Sequence, residues 1–172
     1  MKTQLLLFLM ALLPMTLCAD DSGSCGDNLT WTYVESNHTL TISGTGEMND
    51  YFYLLTHSPW FSYRQDISTI IINDGVTSIG NSAFSSCINL TQLTIPNSVT
   101  SIHACALRYC TSLTTVSFPE GITVIKDQTF EGCKSLESFS IPSNVTKIGY
   151  AAFSKCSSLS SIDIPNKVVE ID

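Results

Sequence analysis

The sequence predicts a solenoid of stacked repeats, built from short parallel strands and preceded by a β-hairpin. Two residue types recur at intervals of 23, and they are Pro96, Pro119, Pro142 and Pro165 together with Cys87, Cys110, Cys133 and Cys156. Six columns of apolar residues keep the same step, and the pattern extends back to Ile67. One repeat of this length cannot bury its apolar side alone, so successive repeats must stack against each other.

Residues 1–19 have the pattern of a secretory signal peptide. A basic residue precedes the apolar run from Leu5 to Leu13, and the small residue Ala19 is followed by two aspartates. The run is shorter than a bilayer-spanning helix and lacks a basic stop signal, which disfavours a retained membrane anchor. Lipidation at Cys18 is disfavoured because the bulky Leu17 lies where lipoprotein processing needs a small residue. We expect cleavage after Ala19, a mature chain without a transmembrane segment, and a location outside the cell or at its surface.

Residues 20–65 lack the 23-residue period and form an N-terminal capping segment in this interpretation. Residues 29–34 and 39–43 alternate apolar and polar side chains around a polar turn, which is typical of a β-hairpin. Aromatic residues follow at 51–53 and 60–61. A hairpin followed by aromatic side chains is well suited to cover the open end of the first repeat.

Residues 66–172 contain about five 23-residue repeats, of which the last is incomplete. Each repeat has a short alternating strand that ends at the proline, because proline cannot donate to a strand ladder. Apolar residues spaced three apart predict short helical or 3-10 turns on the opposite side. A tight turn is expected after each proline, where the column reads Gly75, Ser98, Gly121, Asn144 and Lys167. Because the sequence stops inside a repeat, we expect a fragment of a longer array.

The repeat pattern Ile-x4-Phe-x2-Cys-x2-Leu-x2-Leu-x-Ile-Pro-x2-Val-Thr resembles the BspA-like leucine-rich repeats of bacterial and protozoan surface antigens. The resemblance covers about residues 66–172, with Asn73 in place of proline, Leu107 in place of phenylalanine, and His103 and Cys105 at further departures. It implies a leucine-rich repeat solenoid wound as a right-handed α/β-type superhelix. It also implies an adhesin or surface-antigen role, with attachment to an extracellular protein or glycoprotein.

Composition and motifs exclude several classes of function. The 15 acidic and 8 basic residues give a net charge of −7, which disfavours a nucleic-acid partner bound through its phosphates. His38, His57 and His103 lie in unrelated contexts, and no hydrolase, phosphate-binding, dinucleotide or zinc motif occurs. We therefore predict a protein without catalytic residues, cofactor or metal.

The cysteine ladder of Cys87, Cys110, Cys133 and Cys156 is predicted to be buried and unpaired. Equivalent side chains of stacked repeats project in parallel, whereas a disulfide or a tetrahedral zinc site needs converging sulfur atoms. Such cysteines behave as small hydrophobic residues. Cys25 and Cys105 lie off the ladder and are the favoured disulfide participants, with the connectivity left open.

The candidate partner-binding surface is the outward side of the repeat strands. We define this strand face as Thr69, Ile71, Gln92, Thr94, Thr115, Ser117, Ser138, Ser140, Ser161 and Asp163. It is predicted to be flat, rich in hydroxyl groups and nearly uncharged, and such a face suits docking of a protein or glycan. The alternatives are a rigid spacer whose binding surface lies elsewhere and, with less support, an ice-binding surface.

Four sequons predict N-glycosylation if the host modifies asparagine. They begin at Asn28, Asn37, Asn89 and Asn144, and none contains an intervening proline. Glycosylated asparagines lie at the protein surface, so all four are expected to be exposed.

Overall fold

The N-terminal part of the protein is a small sheet that leads into the repeats. The structure is a computed structural model that describes residues 21–52 and 55–172, so the predicted signal peptide lies outside the described residues. Strands β1 (Asp21–Gly26), β2 (Leu29–Val34) and β3 (Thr39–Gly44) are antiparallel neighbours. β2 and β3 form a hairpin around the 3-10 helix Glu35–Asn37.

Strand β3 joins this sheet to the first repeat. Its other edge pairs in parallel with β4 (Thr69–Ile72), with Thr39 opposite Thr69. The sheet order is therefore β1-β2-β3-β4. The buried Trp60 lies just before the 3-10 helix Phe61–Tyr63, and its indole N–H donates to the carbonyl of Ala83 at 2.8 Å. The segment before the array thus covers the first repeat through both backbone and aromatic contacts.

The repeats carry two strips of short parallel strands, of which the sequence analysis predicted one. The predicted strip contains β6 (Gln92–Thr94) and β8 (Thr115–Ser117), which pair in register at an offset of 23 residues. The second strip contains β5 (Ser78–Ile79), β7 (Ser101–Ile102), β9 (Val124–Ile125), β10 (Lys147–Ile148) and β11 (Glu170–Ile171). In it β5 pairs with β7, while β9, β10 and β11 form one ladder.

A tight turn follows each proline position, as the sequence indicates, but its backbone differs from the expected one. The Val99 N–H donates to the Pro96 carbonyl at 3.0 Å, and the corresponding bond recurs in the other repeats. Of the column expected to be left-handed, Gly75 alone has a positive φ, at +102°. The remaining members adopt ordinary turn conformations that any L-residue allows.

The side of each repeat opposite the predicted strands consists of hydrogen-bonded turns, and the expected helical or 3-10 turns are absent from the described repeats. The physical reason is a left-handed residue at two positions in each repeat, for example Ser82 and Ser86. A left-handed residue ends a right-handed helical turn.

The described residues contain no helix long and apolar enough to cross a membrane.

The core follows the repeated apolar columns. The side chains of Phe84, Leu107 and Phe130 are fully buried, while Phe153 is partly buried at the last repeat. Phe130 and Phe153 stack with their ring centroids 5.3 Å apart. Because each column places one residue type above the next, the turn side and the strand side enclose one continuous apolar interior.

Candidate functional site

All ten residues of the strand face are exposed. Their neighbours inside the strands point the other way, since Ile70 and Leu93 are buried and Val116 is partly buried. Within the paired strands, Gln92 lies beside Thr115 and Thr94 lies beside Ser117. The alternation of strand side chains therefore presents the hydroxyl groups to solvent and the aliphatic groups to the core.

The strand face is less regular than the flat sheet that the sequence suggested. Among the described residues, the ladder of this strip joins β6 only to β8, and residues 138–140 and 161–163 are not hydrogen-bonded as strands. A groove opens between β4 and β6, where Ile71 remains 45% exposed beside Gln92 and Thr94. A second groove separates the backbone near Ser140 from that near Asp163.

The side of the repeats that carries the cysteine ladder is the turn side, formed by the turns of residues 81–86 and their equivalents in later repeats. The thiols of Cys110 and Cys133 donate to the carbonyls of Phe84 and Leu107 at 3.2 Å, and that of Cys156 donates in the same way to the preceding repeat. Burial raises the pKa of Cys87 to about 12 and that of Cys156 to about 11. The ladder therefore holds protonated thiols that link adjacent repeats.

The two cysteines outside the ladder are free thiols in the structure, contrary to the expected disulfide. Cys25 is buried in the N-terminal sheet, and burial raises its pKa to about 11. Cys105 is half-buried on the turn side and its thiol donates to Gln128 at 3.5 Å. The two side chains occupy different parts of the fold, which explains why sequence position alone could not pair them.

The turn side also contains a buried carboxylate that the sequence analysis did not identify. Glu131 accepts hydrogen bonds at 2.7 Å from both Arg108 and Lys155, and at 2.8 Å from Gln128. The Tyr109 hydroxyl lies 3.4 Å from the same carboxylate. The hydrogen bond from Lys155 is the main cause that lowers the pKa of Glu131, and Arg108 adds to it while burial opposes both. We call these five side chains the Glu131 network.

The three histidines do not form a common site. His38 lies 3.1 Å from the Tyr33 hydroxyl, His57 stacks on Phe61, and His103 lies 2.6 Å from an oxygen of Asp50. The pKa of Asp50 lies below its ordinary value. Burial alone would raise this pKa, but the hydrogen bonds from the Asn81 N–H and from His103 together lower it by more. Within the described parts of the chain, no group of three or more potential metal ligands occurs.

The four sequon asparagines are exposed, as a glycan would require. Asn28 and Asn37 lie in the N-terminal sheet region, at the β1–β2 and β2–β3 connections. The amide groups of Asn89 and Asn144 donate to carbonyls of the preceding repeat at 2.7 and 3.2 Å. The two repeat asparagines thus already contribute to stacking.

A column of threonines also runs along the repeats and is the pattern that suggests ice binding, but its hydroxyl groups take part in repeat stacking. This column contains Thr77, Thr100, Thr123 and Thr146. The hydroxyls of Thr100 and Thr146 donate to backbone carbonyls of the preceding repeat at 3.5 and 3.2 Å. Hydroxyl groups engaged between repeats are less available to form an ordered array toward water.

The repeated architecture agrees with a known family. Residues 57–172 match the BspA type leucine rich repeat region in six copies, a span that begins before the start of the array predicted at residue 66. The chain belongs to the BspA-type leucine-rich repeat family. No protein with curated information matches the sequence significantly.

Solved structures of bacterial leucine-rich repeat proteins are similar to this BspA-type chain. A leucine-rich repeat protein from Eubacterium ventriosum ATCC 27560 is 32% identical, with a TM-score of 0.72 over 90% of this chain and 40% of the other. A leucine rich cell surface protein from Faecalibacterium prausnitzii A2-165 is 26% identical, with a TM-score of 0.61 over 86% and 38%. This chain therefore spans about two fifths of either protein.

A third similar structure supports the fold alone. The leucine-rich repeat protein of T. pallidum is 22% identical, with a TM-score of 0.60 over 82% of this chain and 77% of the other. Together with the family match, these structures establish a leucine-rich repeat fold for the chain.

Proposed function

We propose that this chain is a non-enzymatic, secreted or cell-surface binding module that attaches to an extracellular protein or glycoprotein through its strand face. The leucine-rich repeat family supports a role in protein binding. The similar protein from F. prausnitzii is described as a cell surface protein, which agrees with the signal peptide predicted at residues 1–19. An adhesin or surface-antigen role follows from these two properties taken together.

The observation that carries this proposal is the exposure of all ten strand-face residues. Nine of them are uncharged, and eight offer a hydroxyl or amide group that can exchange hydrogen bonds with a partner. The exposed Ile71, at the edge of one groove, supplies an apolar contact within this polar surface. Such a mixture is typical of protein interfaces that form transiently.

The small size of the face predicts weak binding by a single copy. The five strand-face segments, of which β4, β6 and β8 are strands, offer roughly 300 Å² if each is about 12 Å long and about 4.8 Å from the next, against about 800 Å² per partner in a standard interface. Several copies displayed together would bind more strongly through avidity. The alternative function, a rigid spacer within a longer repeat array, requires no binding by this face.

Binding to a panel of extracellular glycoproteins tests the proposal, with the protein presented as a monomer and clustered on beads. The variant that carries both Thr115→Arg and Ser138→Arg places two long cations on the strand face. We expect capture by the clustered protein to fall at least about tenfold in this variant, because bulky charges cannot enter an uncharged interface without desolvation.

A matched control carries Asn97→Arg and Asn166→Arg, which add the same charge at exposed positions outside the strand face. This control should retain full capture. Equal loss in both variants would show that net charge, rather than the strand face, governs binding. Full capture by the strand-face variant would show that the binding surface lies elsewhere, and would favour the alternative in which the repeats serve as a rigid spacer.

A further inference from the structure

Strand β1 is the open edge of the N-terminal sheet. The order of this sheet is β1-β2-β3-β4, so β1 has a neighbouring strand on one side only. Among the described residues, the backbone of residues 21–24 forms no hydrogen bond outside the pairing with β2. About half of the N–H and C=O groups of an antiparallel strand point away from its partner strand. β1 therefore presents unused backbone donors and acceptors along its outer side.

This outer side is accessible to a second chain. Residues 21–24 are all exposed, and Asp21 is followed by two serines and a glycine, whose small size leaves room for an approaching backbone. Lysine and proline, which protect many natural edge strands, are absent from β1. The open stretch ends at the β-bulge after Ser24, where the Cys25 carbonyl accepts the Asn49 N–H at 2.8 Å. We call residues 21–24 the β1 edge.

The β1 edge lies in a strongly acidic part of the chain. Residues 21–63 contain five carboxylate side chains and no lysine or arginine, whereas residues 64–172 contain nine carboxylates and seven basic side chains. The five carboxylates are all exposed, and they belong to Asp21, Asp27, Glu35, Glu47 and Asp50. In the described part of the chain, Asp50 alone among them forms an ion pair, with His103.

This charge decides which kind of chain fits the β1 edge. A negative surface attracts a basic partner and repels an acidic one, both in the first encounter and in the bound state. A second copy of this protein would bring the same five carboxylates to the contact. The charge distribution therefore favours a basic segment over self-association.

We propose that the β1 edge binds an extended segment of a protein partner that contains lysine or arginine. The segment adds as a further strand of the N-terminal sheet, and its backbone groups pair with those of residues 21–24. The surrounding carboxylates select basic side chains on the segment. Four residues direct only about four backbone groups outward, so one site binds weakly and gains strength from several copies displayed together.

The β1 edge is separate from the strand face. Strands β2 and β3 lie between β1 and β4, which contains the first strand-face residue, Thr69. The strand-face variant with Thr115→Arg and Ser138→Arg should therefore keep its affinity for a strand-adding peptide within about twofold. The two proposals can fail independently.

NMR titration of the mature chain with a synthetic peptide tests the proposal. The probe is an acetylated, amidated six-residue peptide in which alternating valine and threonine lie between two terminal lysines. We expect its binding to slow the hydrogen exchange of alternate amides within the β1 edge at least about tenfold near saturation, because those amides become hydrogen-bonded. N-methylation of the four central residues should abolish binding, because it removes the peptide's own donors and blocks strand pairing.

The charge preference is measured with a second peptide that has glutamate in place of both lysines. At low ionic strength the lysine peptide should bind at least about tenfold more tightly, and the difference should shrink at high salt. The variant with Asp21→Asn and Asp27→Asn neutralises the carboxylates that flank the β1 edge and should reduce the preference at least about threefold. Asparagine can still accept the hydrogen bond from the Tyr63 hydroxyl, so the fold should be retained.

The matched control carries Glu120→Gln and Glu137→Gln, which remove the same charge from exposed positions in the repeats. It should keep the full preference for the lysine peptide. Equal loss in the two variants would show that net charge alone, rather than the β1 edge, selects the basic peptide, and would overturn the proposal.

Four further results would overturn it. They are absence of binding at millimolar peptide, equal affinity for the lysine and glutamate peptides, undiminished binding of the N-methylated peptide, and unchanged hydrogen exchange within the β1 edge. Concentration-dependent protection of the β1 edge without any peptide would instead assign this edge to a second copy of the chain.

Discussion

The strand side and the turn side of the repeats share one 23-residue period but differ in how tightly they constrain their side chains. On the strand side, exposed residues such as Thr94 and Ser117 alternate with buried ones, and grooves interrupt the ladder. On the turn side, each repeat is tied to the next by a thiol hydrogen bond, and the Glu131 network spans three repeats. Sequence changes should therefore be tolerated on the strand side and costly on the turn side.

Alkaline pH should give the largest effect, and it should act through the buried thiols. In the folded protein burial raises the pKa of Cys87 to about 12, whereas an unfolded thiol ionises near pH 9. The stability linked to these thiols is complete below pH 9 and is lost as the pH rises toward the folded pKa. Each buried thiol should cost about 1 kcal/mol between pH 9 and pH 10, measured by urea unfolding with a reductant.

The variant Cys110→Ala provides the control for this pH dependence. It removes one buried thiol, so its free energy of unfolding should fall less steeply with pH by about one fifth, since five of the described cysteines are buried. A slope equal to that of the natural sequence would show that other groups, such as tyrosines, cause the alkaline loss.

Removal of the Glu131 carboxylate should give the next largest effect. Glu131→Ala leaves Arg108 half-buried without its acidic partner, so we expect a loss of about 2 to 3 kcal/mol in the free energy of unfolding. Glu170→Ala, which breaks the exposed pair with Lys147, should leave the free energy of unfolding almost unchanged, because the pair is in solvent and Lys147 keeps Asp172 as a partner. Similar losses in the two variants would remove the distinction between the buried network and a surface pair.

Acid titration sharpens the same test. The folded pKa of Glu131 lies below its ordinary value, so its stabilising contribution is present at neutral pH and is lost as the pH falls through the lowered pKa. Glu131→Ala should therefore lose less stability on acidification than the natural sequence does.

The repeated features of the fold could be predicted from the sequence, whereas the unrepeated ones could not. Columns such as Cys87 and Cys110 identify stacking and the family, because each repeat presents the same residue to the same neighbour. The Glu131 network draws on three columns, and none of these columns repeats its charges from one repeat to the next. The signal available beforehand was that Arg108 and Glu131 lie one period apart in the same column, so that stacking brings the two opposite charges together.

The left-handed turn positions were missed for a different reason. Within the repeats one set is filled by Ser82, Cys105, Gln128 and Ala151, and a second set by Ser86, Tyr109, Gly132 and Lys155. Glycine or asparagine usually marks such positions, but among these eight residues only Gly132 does so. Hydrogen bonds between neighbouring repeats, such as Ser82 N–H to Ala104 carbonyl, hold the backbone there instead.

Gly132 offers a smaller but more local test of the turn side. Its φ is +75°, and a methyl group at its Cβ position would lie 2.3 Å from Cδ1 of Tyr109. We expect Gly132→Ala to lower the free energy of unfolding by about 1 to 2 kcal/mol, measured by thermal or urea unfolding. In the Tyr109→Ala background, Gly132→Ala should cost less than in the natural sequence, because the clash is absent and only the backbone strain remains.

Gly121 is the matched control in the proline turn. It has no positive φ, and the nearest atom to an added Cβ lies at an ordinary 3.7 Å. Gly121→Ala should therefore be neutral or stabilise the protein by up to about 1 kcal/mol, because it reduces the entropy of the unfolded chain. A loss as large as that of Gly132→Ala would contradict the assigned difference between the two turns.

The smallest effect is expected on the strand face itself. Ser140→Ala removes an exposed hydroxyl, so the free energy of unfolding should change by less than about 0.5 kcal/mol. Ser78→Ala is the matched serine in the second strip, where the buried hydroxyl accepts the Met48 N–H at 3.1 Å, and it should cost about 1 to 2 kcal/mol. If Ser140→Ala proved equally costly, the strand face would be part of the stabilising framework rather than a surface free to vary with its partner.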